Sequence, residues 1–305
     1  MRAKKVTALL ISAVLATGLL AGCGSSGEGQ GGESVEGSSG KIELEFFTQK
    51  REAADTFDKI IAEFNASQDE IVVTQNIVPD STSVLMSRAA TGDLPDIIQV
   101  GGMQDSNTMQ FMKEGHFLDL TGMECLNQVV DNYQEAIKFK GKNYVVPISA
   151  NFSGVYYNKD KFEEKGYTVP KTYDELIALA QKMQADGETP FLFPDKDSWT
   201  LVQCWEDNID GSARGDRKQV YMDIANGATT FQDDALFVET LQKVIDIRQY
   251  GQGDTLALGY DQAISDFATG KSCMFMQGIW ALPSIKKANP EMNIGMFSFP
   301  SNNGD

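Results

Sequence analysis

Apolar residues recur along this chain with two alternating periods. Ile42, Leu44 and Phe46 interleave with Glu43 and Glu45, the period of two expected of a half-buried strand over 41–47. Phe57, Ile60, Ile61 and Phe64 follow at helical spacing and predict a helix over 52–66. The pattern repeats as a strand over 71–78, a helix over 81–91 with Ser81 at its N-cap, a strand over 95–100, and a helix through Met112. Further on, Thr172-Tyr173-Asp174-Glu175 is a capping-box pattern opening a helix over 172–185. A helix carries Cys204 and Trp205, and others cover 233–248, 261–269 and 278–288, with strands over 190–193, 272–277 and 293–299. Strands alternating with helices imply an α/β fold, with a parallel sheet covered on both faces. Ligands bind such sheets beyond the carboxyl ends of the strands. Gln49, Lys50, Asp80, Gly101, Gly102 and Asp105 fall there. The two glycines let a backbone approach a ligand closely, and either alone fits a tight turn as well.

Between the two halves lies 141–158, GKNYVVPISANFSGVYYN. Tyr144, Val145 and Val146 read as strand, and so do Val155, Tyr156 and Tyr157. Pro147 cannot donate to a ladder, so the first run is no ordinary central strand. One reading is a strand leaving one sheet for another, with Asn151 facing the space between two lobes. The other is a hairpin inside one domain with Asn151 capping its turn. The local pattern fits both equally.

The N-terminus changes the picture of where the protein works. Arg2, Lys4 and Lys5 precede an apolar stretch over 6–20 that is too short for a permanent span and reads as a signal peptide. It ends Leu20-Ala21-Gly22-Cys23, which resembles the lipobox of bacterial lipoproteins, where the chain is cut before the cysteine and the thiol carries diacylglycerol. Residues 24–40 are almost entirely Gly, Ser, Glu and Gln, a flexible tether that holds a soluble domain near a membrane.

Charge and composition mostly exclude. Lys+Arg total 26 against Asp+Glu 43, a net charge of −17, which argues against nucleic acid and weakly disfavours a strongly anionic ligand. Beyond Cys23 the cysteines are Cys125, Cys204 and Cys273, an odd number without C-x-x-C spacing, so a structural zinc site is unsupported and buried free thiols are expected at Cys204 and Cys273. His116 is the single histidine, so a Ser/His/Asp arrangement is not available on a standard pattern, and no Walker phosphate loop is present. Gly251-Gln252-Gly253 is only a fragment of a dinucleotide fingerprint. Neither a cofactor nor a metal is expected. What remains are aromatic and amide side chains at loop positions, the kind of surface on which sugar C–H faces and hydroxyls pack and pair. Trp199 and Trp280 both sit where a strand has just ended, whereas Trp205 lies in an apolar helix and reads as core.

Taken in order, these segments resemble one family. Leu94-Pro95-Asp96-Ile97-Ile98, Val146-Pro147-Ile148 with Tyr156-Tyr157-Asn158-Lys159-Asp160, and 170–176 resemble the extracytoplasmic solute-binding proteins of ABC importers. So do Phe267-Ala268-Thr269-Gly270-Lys271 and 274–280, and the closest group is the carbohydrate type that includes maltodextrin-binding proteins. The resemblance covers essentially everything from residue 41. It implies a two-lobe periplasmic-binding-protein fold with hinge strands and a ligand cleft. Signal peptide 1–22 and tether 23–40 would precede lobe one, 41–148 plus 293–305, and lobe two, 149–292. By position it implies ligand contacts from Gln49 and Lys50 in the first loop, from Asn151 past the hinge, from Asp197 and Trp199 in a second-lobe loop, and from Trp280, after Gly278, as stacking tryptophan. Family members continue with more helices after the last strand, so the C-terminus looks truncated. The implied function is a non-enzymatic one. A protein anchored through lipid on Cys23 to the outer face of the cell membrane captures a sugar or oligosaccharide and delivers it to ABC permease subunits. The alternatives are the same fold binding a polyamine, a peptide or another organic solute, and a secreted carbohydrate-active enzyme.

Overall fold

A computed structural model describes residues 40–78, 81–101, 106–215 and 217–302. β1 (Ile42–Thr48) runs parallel to β2 (Ile71–Ile77) on one side and to the short β3 (Ile97–Ile98) on the other. Ile42 pairs with Ile71 and Thr48 with Ile77, and Phe46 and Phe47 pair with Ile97 and Ile98. Neighbouring side chains on a strand leave opposite faces, so the sheet needs cover on both. Phe46 meets Phe57 of α1 (Ala54–Ser67) edge to face at 5.0 Å. Phe47 is fully buried on the other face with Leu85 of α2 (Ser81–Thr91) and Phe111 of α3 (Ser106–Glu114). The parallel β–α alternation expected of this half is what forms.

After α4 (Asp131–Ala136) the chain crosses to a second sheet without the strand expected at 144–146. Tyr144, Val145 and Val146 have strand-forming side chains, but that preference is realised only against a partner strand. Pro147 lacks a donor, and 143–152 joins no ladder on its way into β4 (Ser153–Asn158). β4 is the middle strand of an antiparallel sheet, between β5 (Met274–Gly278) and β6 (Ile294–Phe297). The described part of 293–305, expected with the first lobe, thus packs with the second sheet. Val155 pairs with Phe297 and Asn158 with Ile294, Phe299 is buried against Trp205 at 6.4 Å, and Asn302 hydrogen-bonds Lys243. Gly295 lets the strands close up, since a Cβ there would lie 2.2 Å from the Tyr157 ring.

Among the described residues, seven further helices follow β4 or lie between its partners in sequence: α5 (Lys159–Lys165), α6 (Tyr173–Ala185), α7 (Asp207–Arg214), α8 (Lys218–Ala225), α9 (Ala235–Ile247), α10 (Tyr260–Ala268) and α11 (Leu282–Ala288). Val155, Met274 and Met276 point into one core with Leu176, Phe191, Phe193, Trp205 and Ile247. Tyr156 and Phe275 point into the other with Ile264, Phe267 and Ile285. Each such side chain contributes about 1.5–3 kcal/mol when fully buried, so these two cores outweigh the smaller cluster around Phe47. The strand expected at 190–193 joins no ladder, although Phe191, Leu192 and Phe193 are buried and Met274 N–H donates to Pro190 O at 2.9 Å. Cys204 and Trp205 sit on a π-helical turn, Leu201–Glu206, that leads into α7.

Candidate functional site

The site is built where a loop, a strand end and a helix start converge in the second sheet's half. The loop is 194–200. Asp195 N–H donates to Thr255 O and Lys196 N–H to Leu258 O, at 3.1 and 3.2 Å, which ties it to the segment before α10. Thr200, fully buried, donates its hydroxyl to Asp197 O at 2.9 Å and closes the loop on itself. Asp197 Oδ2 then accepts the Tyr260 backbone N–H at 2.7 Å, supplying from a distant segment one of the capping bonds that α10 needs at its first turn. That bond also sets the Tyr260 ring against Trp199, with centroids 5.0 Å apart at 67°. Asp197 therefore acts first as a cap, a role that sequence reading did not assign to it.

Trp280 arrives from β5. The strand ends at Gly278, a 3₁₀ turn follows over Ile279–Ala281, and Ile279 N–H donates to Phe152 O at 2.9 Å. The indole folds back over Gly278, where a Cβ would lie 2.0 Å from its Cζ3. Trp199 and Trp280 are both half-buried, with ring centroids 6.2 Å apart at 55°. Tyr156 Oη donates to Gly278 O at 3.1 Å and anchors the same turn from below. Asn151 is exposed and stands one residue before Phe152, on the segment that meets the Trp280 turn.

The first sheet contributes the carboxyl end of β1. Lys50 N–H donates to Thr48 Oγ1 at 3.0 Å, and Gln49 Oε1 accepts from Ser81 Oγ at 2.7 Å. Lys50 Nζ lies 3.8 Å from Glu52. The next turn, Arg51–Ala53, reaches α10, where Arg51 pairs with Asp261. Glu52 is close enough that its charge adds to the burial that pushes the Tyr260 hydroxyl pKa well above the ordinary tyrosine range. The turn that follows Gln49 and Lys50 thus meets the start of α10 through Arg51, while Asp197 and Trp199 meet that start through Tyr260. Asp80, Gly102, Asp105 and Cys23 lie outside the described residues.

Tyr260, Arg51, Glu52 and Asp261 were missed by sequence reading. The expected helix began one residue after Tyr260, and the charges around it look like any solvated face. Behind the tryptophans, Cys204 donates to Gln277 Oε1 at 3.3 Å, and its burial raises the thiol pKa far above the usual range. Trp205 is fully buried against Phe193 at 4.8 Å and Phe191 at 5.4 Å, which makes it core as expected. His116 lies away from this site, 3.3 Å from Glu114 at the end of α3. Among the described residues no cluster of three His, Cys, Asp or Glu side chains is arranged to hold a metal ion.

Comparison with known proteins agrees with this architecture. The family model described as bacterial extracellular solute-binding protein matches residues 49–305. The chain is 35% identical over 287 residues to the multiple sugar-binding protein of Streptococcus mutans, covering 92% of this chain and 66% of that protein. RafE in complex with raffinose superposes with a TM-score of 0.76 at 32% identity, covering 86% of this chain and 69% of that one. The apo form of RafE from Streptococcus pneumoniae gives 0.65 at the same identity, over 86% and 68%. The chain spans about two-thirds of the length of these relatives. With a family model matching most of its length and two sheets that each carry their own helices, this chain belongs to the bacterial extracellular solute-binding protein family.

Proposed function

We propose that the protein captures a sugar or oligosaccharide outside the cytoplasm and delivers it to the permease subunits of an ABC transporter, held to the outer face of the membrane by lipid on Cys23. The observation that carries this reading is the half-buried pair Trp199 and Trp280, 6.2 Å apart and braced by Tyr260. Aromatic faces take the C–H surface of a sugar ring, and Gln49, Lys50 and Asn151 supply the donors and acceptors that its hydroxyls need. The names of the relatives, a multiple sugar-binding protein and a raffinose complex, support the same ligand class. A polyamine site would need free carboxylates. Here two of the described carboxylates beside Tyr260 are already engaged, Asp197 as the cap of α10 and Asp261 with Arg51. A binding protein rather than an enzyme fits the family.

A thermal-shift screen of raffinose, other oligosaccharides, polyamines and amino acids tests the reading. A ligand that binds the native state alone stabilises it by about 2.7 kcal/mol at a hundredfold excess over its dissociation constant. Stabilisation by polyamines or amino acids with no response to any saccharide refutes the ligand class, and sustained hydrolysis of an oligosaccharide refutes the binding role. Cys23→Ser should abolish lipid labelling and release the protein from membranes. A variant that stays bound through a salt wash has another anchor.

A further inference from the structure

We propose that Arg51 and Asp261 form a latch across the ligand site, an ion pair that joins the end of β1 to the start of α10 and stabilises the arrangement in which the site is closed. The proposal takes the tryptophan site described above as the ligand site, and so rests on that reading. Arg51 Nη1 donates to Asp261 Oδ2 across 210 residues of sequence. Arg51 stands directly after Lys50 in the 3₁₀ turn leading from β1, and Asp261 directly after Tyr260, whose ring packs on Trp199. The pair therefore borders the candidate contacts on both sides of the site.

Among the described residues the two sheets share no ladder, and the connection at 143–152 joins neither of them, so no strand pairing fixes one sheet against the other. The chain superposes better on RafE with raffinose, at a TM-score of 0.76, than on apo RafE, at 0.65, at equal sequence identity. A contact that reaches from one sheet's half to the other's exists only while the two are close. It then favours the closed form alone, and a contact present in one of two states shifts their populations and the apparent ligand affinity together.

Size decides what the latch can do. Its side chains are 41% and 66% exposed, so water and salt screen the pair. Exposed pairs of this kind change an equilibrium by about two- to fivefold. That shifts the balance of closed and open forms by the same factor with and without ligand, and with ligand bound it slows release.

The test uses the full chain, with raffinose as probe, in four forms: wild type, Arg51→Glu, Asp261→Arg, and the double reversal. Each single reversal should weaken raffinose binding about two- to fivefold, mainly through faster dissociation, and the double reversal should restore it. The differences should shrink in about 1 M salt, where screening acts over roughly 3 Å. Single reversals without effect, or a double reversal that loses the sum of the two, overturn the latch. If the wild type does not bind raffinose, the ligand reading needs revision and small-angle scattering of the four ligand-free proteins decides the latch separately. A radius of gyration that rises in each single reversal and returns in the double supports it, and an identical radius in all four overturns it.

Discussion

Gly278→Ala is the sharpest test of how the tryptophan site is built. The residue has φ −82° and ψ 165°, which alanine adopts without strain, so the backbone contributes no penalty. The added methyl meets the Trp280 ring instead, at 2.0, 2.2 and 2.3 Å from Cζ3, Cη2 and Cε3. Carbon atoms in contact sit about 3.5–4.0 Å apart, so the indole must move by roughly 1.5 Å or more. Overpacking of this kind costs about 1–3 kcal/mol, part of it through the Trp199–Trp280 contact, which is worth about 0.5–1.5 kcal/mol. For a domain of this size the melting temperature should fall by roughly 2–12 °C. Affinity for the sugar should fall with it, because the stacking face is displaced. The control is the same substitution in a Trp280→Ala background, where the ring that clashes is gone. There Gly278→Ala should cost nothing, or gain about 0.4–1 kcal/mol by restricting the unfolded chain. Melting curves and titrations of the four proteins measure the coupling directly. An equal loss from Gly278→Ala with and without the indole would refute the argument, since the glycine would then be needed for a reason other than Trp280.

Three further outcomes follow from the same structure. Asp197→Ala should destabilise the protein by about 0.5–2 kcal/mol through loss of the α10 cap, measured by denaturant melts, and Asp197→Asn should recover most of it; equal losses from both would show that charge rather than the hydrogen bond matters. Trp205→Ala should cost about 3–5 kcal/mol because the ring is fully buried against Phe191 and Phe193, and a cost under about 1 kcal/mol would mean the core refills the space. Burial, reinforced by the neighbouring Asp207, pushes the Glu206 carboxyl up from 4.5 to about 7, so the folded state holds a proton there that the unfolded chain has released. Stability from this group is present below pH 4.5 and is lost as pH rises to about 7, and Glu206→Gln should remove that part of the slope in melts run from pH 4.5 to 8; an unchanged slope refutes the assignment.

Much of the local structure was legible because it depends on neighbours a few residues away. The alternation through Phe46 and the helical spacing of Phe57, Ile60, Ile61 and Phe64 led directly to β1 and α1. Thr172 accepts the Glu175 N–H at 3.2 Å, as the capping pattern requires, although the Glu175 carboxylate reaches back to the Lys171 N–H instead of that of Thr172. Trp205 was recognisable as core from its apolar helix, and Trp280 from the strand that ends before it, whereas the strand expected before Trp199 does not form.

The amino-acid pattern by itself determined the α/β class, the order of most elements and the family resemblance, because amphipathic period and capping act within one or two turns of chain. Tertiary structure alone decided the rest. Strand-forming side chains at 144–146 found no partner strand, while 294–297 found β4 and joined the second sheet. Asp197 became the cap of a helix that starts 63 residues later, and Arg51 met Asp261 across 210 residues. Pairings over such separations are selected by the packing of the whole chain, and no periodicity along the sequence carries them.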